Sequence, residues 1–542
     1  MSLQAPPEAS TDATVLVVVT LGYVVATVYL GYRGYRTTRS STDYLLAGRD
    51  VHPVVMALSY GATFVSTAAI VGFGGVAAEL GMGLLWLTFL NVLVGIFVAF
   101  VILGKPTRRM GLRLDAHTFP ELLGRRYQSR FIQVVAALAI FLLMPLYAAA
   151  VLRGGSEFLR SVLSLDLTSA TLLFASIVAL YVVFGGLRGV ILTDALQGAI
   201  MFAGMLALLG LTYARVGGIT AGHRALSGLA DQVPTGLAAG GMVGWTSMPV
   251  TGSPIWYTMV TTLIFGVGIG VLAQPQLVVR FMTVRSGREL NRAVLVGGVF
   301  ILVMTGTAFT VGPLSNVYFM ETRGMLSVAA AEGNVDGVVP LYIASAMPSW
   351  FVVLFTLSLL SAAMSTISSQ FHTMGTALGR DLYEQGALRR EISSAGSIRA
   401  SRIGILIAFG ITLVLALWLP AGVVAAATAV FFGTCAAAFL PAYVGGLFSR
   451  RITRAGATAG MVTGFVLALF WLTFAHASNA GRIGVSSMLL GRDSLVGFPW
   501  NAVDPLVVAL PASVAVTVVV SLVTRRPDGA HLDRCLGRRA VG

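Results

Sequence analysis

About thirteen stretches of roughly 20 residues, almost free of charge, follow one another along the chain. Each is as long as a helix must be to cross ~30 Å of hydrocarbon. A chain of 542 residues that is 56% hydrophobic and only 11% charged is too apolar for a water-soluble protein of this size. The expectation is an all-α membrane protein, a single transporter-sized bundle of about 13 transmembrane helices with no large water-soluble domain.

In a soluble protein a formal net charge of +14 would point to nucleic acid. Here the basic residues cluster in alternate loops, and all but seven of the 36 (Arg153, Arg160, Arg215, Arg224, Arg323, Arg482 and Arg492) fall on one side of a thirteen-span arrangement. This positive-inside bias predicts a multi-pass protein of the cell membrane, with its N-terminus outside and its C-terminus cytoplasmic. The charge therefore reports topology, and no nucleic-acid partner is expected. Met1–Asp12 carries no Lys or Arg, so it lacks the charged region of a cleavable signal, and the first span is expected to stay as an anchor. Cys435 and Cys535 cannot form a disulfide framework or metal cluster.

Polar residues inside the spans carry the functional information. The second span holds Ser59-Tyr60-Gly61-Ala62-Thr63-Phe64-Val65-Ser66-Thr67 and a further run of glycines. Either the helix is broken there or small residues let neighbours approach closely. The seventh span carries Gly266-Val267-Gly268-Ile269-Gly270 before Gln274-Pro275. No βαβ context surrounds these glycines, so they read as an interrupted membrane helix rather than a dinucleotide loop. The two segments lie five spans apart, and an odd offset inverts the second unit relative to the first, the plan in which paired broken helices frame a site.

The ninth span contains Ser361-Ala362-Ala363-Met364-Ser365-Thr366-Ile367-Ser368-Ser369. Ala362, Ser365, Thr366 and Ser369 share one helical face, with Ser368 at its flank. Hydroxyls and freed carbonyls are the ligands a hard cation such as Na+ takes. The competing reading has each hydroxyl bonding its own i−4 carbonyl. Asp194, in the sixth span, needs a cation or Arg188 as partner if it lies inside the membrane. Otherwise it sits at the interface near its helix start. Arg153 in the fourth span either snorkels to the headgroups or meets a substrate carboxylate.

The chain resembles the sodium:solute symporters. The resemblance runs from the Tyr44–Gly48 loop through the second, fourth, sixth and seventh spans to Arg380-Asp381-Leu382-Tyr383. It rests on Ala362-x-x-Ser365-Thr366, on Gly185-Gly186-Leu187 with Thr193-Asp194, and on Gln274-Pro275 with Arg280-Phe281-Met282. It implies a leucine-transporter-type core of inverted five-helix repeats at residues 52–215 and 256–447. An extra N-terminal helix at 13–33, two C-terminal helices within 455–523 and a cytoplasmic tail at 524–542 complete the chain. It further implies Ala62, Val65, Ala362, Ser365 and Thr366 as ligands of a principal sodium, and Asp194, Ser368 and Ser369 as elements of a second site. Tyr147 matches a substrate-lining tyrosine.

Against the proline-type pattern, Phe64 and Ala68 stand where that carrier has Asp and Trp, and Val267 and Val271 replace its Trp and Tyr. This makes proline itself a poor fit. Phe64 and Ala69 likewise depart from the polar pocket of the sugar carriers. Apolar walls with Ser66, Thr67 and Tyr147, and Arg153 as a candidate counter-ion, favour a monocarboxylate or amino acid. The reading is thus a secondary active symporter, not an enzyme, with sodium, a small organic solute and the lipid bilayer as its partners. A proton-coupled carrier of the same fold, drawing on Asp194, and a transporter-fold sensor are the alternatives.

Overall fold

The computed structural model describes residues 13–38, 40–182, 186–388, 393–420 and 422–537. Met1–Asp12, Arg39, Phe184, Gly185, Arg389 and the tail from residue 538 lie outside the described residues. Among the described residues every regular element is helical, apart from one parallel bridge between Val51 and Val284.

Eleven helices are long and apolar enough to cross a membrane, and twelve with one bent pair. In chain order the spans are Thr14–Gly34, the bent pair Pro53–Phe64 and Ala68–Leu80, Met82–Arg113, Arg130–Ser161, Gly186–Arg215, Pro254–Ala273, Gly287–Arg323, Ser349–Ala387, Ser394–Trp418, Val424–Phe448, Arg454–Ala475 and Pro505–Val523. The expected fifth span, Leu167–Val182, has only 16 described helical residues, so about thirteen becomes twelve by length. The ordinal names are kept below.

Burial separates core from periphery. In the ninth and eleventh spans 83% of an apolar 18-residue stretch is buried, against 22% in the first and 28% in the thirteenth. The ninth span packs on the sixth, the second on the eighth and sixth, and the thirteenth on the twelfth. The two hydroxyl- and alanine-rich helices are thus the inside of the bundle.

The second span opens with Pro53 at its first turn, where a missing N–H costs nothing, and His52 accepts from the Val54 N–H. It stops at Phe64. Val65 turns to extended backbone (φ −89°, ψ 99°), and the helix resumes at Ala68 with a bend of 55°. The glycines serve packing as well: a Cβ on Gly75 would sit 1.9 Å from the Val335 carbonyl. Both readings of this stretch therefore hold.

The seventh span differs from expectation. Its helix runs through Gly266, Gly268 and Gly270, and the interruption falls at Gln274 (φ −75°, ψ 114°), after which Pro275 starts short helices to Met282. The glycines are there for close approach, since a Cβ on Gly270 would lie 2.7 Å from the Phe432 backbone. Small residues let helices approach, and proline rather than glycine ends this one.

At the end carrying the basic loops, the short helix Phe119–Arg126 is capped by Thr118, whose hydroxyl accepts the Glu121 N–H. Buried Glu121 accepts from the His117 N–H at 2.8 Å, from Arg125 at 2.6 Å and from Arg380 at 3.2 Å. Burial opposes its ionisation, but the His117 hydrogen bond and the two guanidiniums outweigh that and hold the carboxylate well below the usual range. Asp381 accepts from Thr118 and Gln133. The helix is thereby bolted to the end of the ninth span. At the opposite end the Ala78 carbonyl closing the second span accepts from Trp245 Nε1 at 2.7 Å and Asn316 Nδ2 at 2.8 Å.

Candidate functional site

The break in the second span frees carbonyls that a continuous helix would use itself. The ninth span lies against that break. Ser365 Oγ is 2.8 Å from the Ala62 carbonyl, and Thr366 Oγ1 donates within 3.3 Å of Ala62 O and 3.1 Å of Thr63 O. Ser365 Oγ also reaches Ser361 O at 2.8 Å and Ala362 O at 3.2 Å. The i−4 bond and the cross-span bond thus coexist on one hydroxyl. Ala62, Val65, Ala362, Ser365 and Thr366 are all within 1% of full burial. The result is a dry cluster of neutral oxygens from two spans, the donor set that suits a small hard cation.

One turn further along the ninth span the chemistry changes. Asp194 Oδ2 lies 2.8 Å from Arg280 Nη2, with both side chains buried. Arg280 also donates to Ser369 Oγ at 2.6 Å, Thr63 Oγ1 at 2.5 Å and Ser59 Oγ at 3.1 Å, and through Nη1 to Gln276 O at 2.7 Å. Ser59 in turn donates to Asp194 at 2.8 Å. The partner of Asp194 is therefore Arg280, carried in by the turn after Gln274-Pro275. Arg188 instead faces Asp43, at 3.7 Å, in the loop. Ser369 joins this cluster, whereas Ser368 donates to its own helix, at Ser365 O. A guanidinium stands where the resemblance implies a second sodium.

Beside the break is an enclosed cavity lined by Val65, Ser66, Tyr147, Val267, Asn91 and Phe432, among others. The Tyr147 hydroxyl is 3.5 Å from Ser66 Oγ, and its ring stacks on Phe431 at 5.4 Å and meets Phe432 edge-on. Of the expected solute residues, Ser66, Tyr147 and Val267 line this cavity. Thr67 turns away to the Val151 carbonyl at 2.6 Å, and Val271 is packed beside Gly95. Arg153 is 6% exposed and lies 3.4 Å from Glu157, one turn on, so it neither snorkels nor lines the cavity.

Residues 44–464 match the family described as the sodium:solute symporter family. The chain belongs to it. Similar curated proteins include the osmoregulated proline transporter OpuE of Bacillus subtilis, 25% identical over 95% of this chain and 96% of that one. The high-affinity proline transporter PutP of the same species is 26% identical over 93% and 97% of the two chains, and sodium/proline symporter 2 of Staphylococcus saprophyticus is 26% identical over 87% and 88%. Among solved structures, a sodium-coupled sialic acid symporter in a substrate-bound outward-open state superposes with a TM-score of 0.74, at 18% identity, over 95% of this chain and 98% of that one. This likeness shows the fold, a leucine-transporter-type helical core. The protein is thus a symporter and not an enzyme.

Three features of the symporter's site escaped sequence reasoning. Asn91 reaches the cavity from the third span, with its Oδ1 unpartnered, and the asparagine inside an apolar run was a visible signal. Tyr23 of the first span accepts from Ser361 at 3.0 Å and Gln197 at 3.2 Å, tying the extra helix to the ninth span. Arg280 was visible only as part of a motif, since nothing local assigns its partner.

Proposed function

We propose that this symporter couples sodium influx to uptake of a small organic solute, an amino acid or a monocarboxylate, by alternating access. The observation that carries the ion assignment is the pair Ser365 and Thr366 set against the Ala62 and Thr63 carbonyls at the break of the second span. In this reading Ala62, Val65, Ala362, Ser365 and Thr366 hold the principal sodium. Binding there ties the second span to the ninth and favours the outward-open state, and release inward loosens both. Each sodium charge brings about 2.3 kcal/mol per 100 mV of membrane potential.

The solute is assigned to the cavity of Ser66, Tyr147 and Val267. Its walls are aromatic and aliphatic, with a few hydroxyls and Asn91 to orient a polar group. The relatives named for proline support an amino acid as the class, and the apolar residues at Phe64, Val267 and Val271 support a solute other than proline. The basic end is assigned to the cytoplasm, which puts the N-terminus outside and the C-terminus inside. The repeats are assigned to 52–215 and 256–447. In the conformation described, Asp194 Oδ2 and Ser369 Oγ are engaged by Arg280, so a second sodium held by these two oxygens requires the guanidinium to leave.

A thermal-shift screen of proline, other amino acids, small carboxylates and sugars, with and without sodium, tests this, because a ligand of the folded state raises its apparent stability. A solute that stabilises only in sodium is the expected result. Stabilisation and proteoliposome uptake that follow a pH gradient and ignore sodium would replace sodium with a proton as the coupling ion.

A further inference from the structure

The tail does not hang free at the basic end. Its helix Gly529–Leu536 starts from Asp528, which caps the His531 N–H, and folds back onto the bundle. Asp533 pairs with Arg450, and Arg113 donates to the Cys535 carbonyl at 3.4 Å. His531 Nε2 lies 3.0 Å from the Arg126 carbonyl, and since a carbonyl only accepts, that nitrogen carries the proton.

Between this helix and residues 113–133 lies a cavity of about 450 Å³. Arg113, Arg125, Arg130, Arg534 and His531 line it, together with the amides Gln128 and Gln133, and among the described residues no Asp or Glu does. Of the carboxylates nearest in sequence, Glu121 neutralises one of these guanidiniums, Arg125, and also meets Arg380, whereas Asp533 is committed to Arg450 and Asp115 to Arg49 at 3.5 Å. Arg130 and Arg534 are exposed and make no ion pair among the described residues. Three guanidiniums, those of Arg113, Arg130 and Arg534, thus face one opening without a carboxylate partner among the described residues, and create a positive field there. Their planar forks match the oxygens of a phosphate.

The cavity also sits at the basic end of the bundle. Arg113 closes the third span and Arg130 opens the fourth, and each of these helices has 32 residues, longer than the ~20 that cross hydrocarbon, so their ends reach out of it. Basic pockets beside a span end suit anionic headgroups.

We propose that this cavity is a binding site for a phosphate-bearing anion, either the phosphodiester of an anionic lipid headgroup or a free phosphate ester. Its occupant bridges Arg130 of the fourth span to Arg534 of the tail helix, and so fastens the tail over the helix Phe119–Arg126 and its latch to the ninth span.

The full chain serves for the test. Thermal stability and protease protection of residues 529–536 are compared in nanodiscs of phosphatidylglycerol and of phosphatidylcholine. In detergent, inorganic phosphate and glycerol 3-phosphate are titrated against chloride at equal ionic strength. A stabilising effect of phosphatidylglycerol alone assigns the site to lipid, and an effect of the soluble phosphates as well assigns it to phosphate in general. In either case Arg130→Gln with Arg534→Gln is expected to raise the half-stabilising concentration at least fivefold and to expose the tail. Arg525→Gln with Arg526→Gln, outside the cavity, is expected to change it less than twofold. The Lys versions of the first pair, which fold with the same charge, are expected to fall between. Equal losses in both pairs would show general surface charge and overturn the proposal, as would no effect of any phosphate.

Discussion

Two oxygen-rich seats lie one turn apart on the ninth span, the first of them the site we propose for sodium, and they are built on opposite principles. At Ser365 and Thr366 the facing groups are neutral carbonyls of Ala62 and Thr63. At Ser369 the facing group is a guanidinium already paired with Asp194. The first seat can take and release an ion because none of its oxygens carries a full charge to strand. In the second a full negative charge is buried, and the protein must supply its own cation at all times or face a desolvation cost of several kcal/mol. The proposed ion site and the structural pair thus arise from the same serine-rich face, according to what the second, sixth and seventh spans bring to it.

Breaking the charged seat should have the largest effect. Arg280→Met strands Asp194 and is expected to cost about 3–5 kcal/mol. It should be read as lost thermal stability in detergent, with part of the loss recovered when Asp194→Asn is added. No change in stability would mean that the pair is already opened and hydrated.

A buried carboxylate without such a partner gives the next contrast. Asp336 accepts from the Val424 N–H at 3.4 Å. Burial pushes its carboxyl up to about 6, with Glu157 adding to the rise and the backbone hydrogen bonds and Arg153 opposing it. Because the folded value lies above the ordinary 3.8, the favourable contribution is complete below about 3.8 and is lost as pH rises through about 6, up to ~3 kcal/mol at ~1.4 kcal/mol per unit. Asp336→Asn should flatten the stability profile across that window, and an unchanged profile would assign the slope to another group.

The neutral seat is expected to respond in sodium dependence rather than stability. Ser365→Ala should raise the half-activating sodium concentration at least tenfold, ~1.4 kcal/mol, while protein abundance holds. Full activity at low sodium would leave the hydroxyl as a structural donor to the Ala62, Ser361 and Ala362 carbonyls. Ser369→Ala, which removes the Oγ contacts with Arg280 and Thr63, is expected to cost about 1.5–3 kcal/mol of stability and to have the smallest effect on sodium dependence. Half-activating sodium should stay within twofold, and a tenfold rise would make the second seat an ion site after all.

Much of this was legible in the chain. Hydropathy located the spans, and the Gly, Ser and Thr content of the second span marked the break found at Val65. The seventh span shows the limit. Its glycines were read as the interruption, yet they pack against Leu90 and Phe432, and the helix ends instead at Gln274-Pro275. A glycine looks the same in sequence whether it loosens a backbone or admits a neighbour. Arg153 shows another limit: its position within a span allowed snorkelling, but Glu157 one turn on holds it in a buried ion pair.

By itself the sequence determined that this protein is a membrane bundle, where its helices lie, and which face of the ninth span is hydroxylated. These are local properties, written in runs and periods of about one helix. Only the tertiary structure decided that Arg280 meets Asp194 across 86 residues, that Ser365 meets Ala62 across 303, and that Asn91 rather than Thr67 faces the cavity. Pairings of that kind follow from which faces pack together, because in a medium without water every buried polar group must find its partner on another helix or on its own.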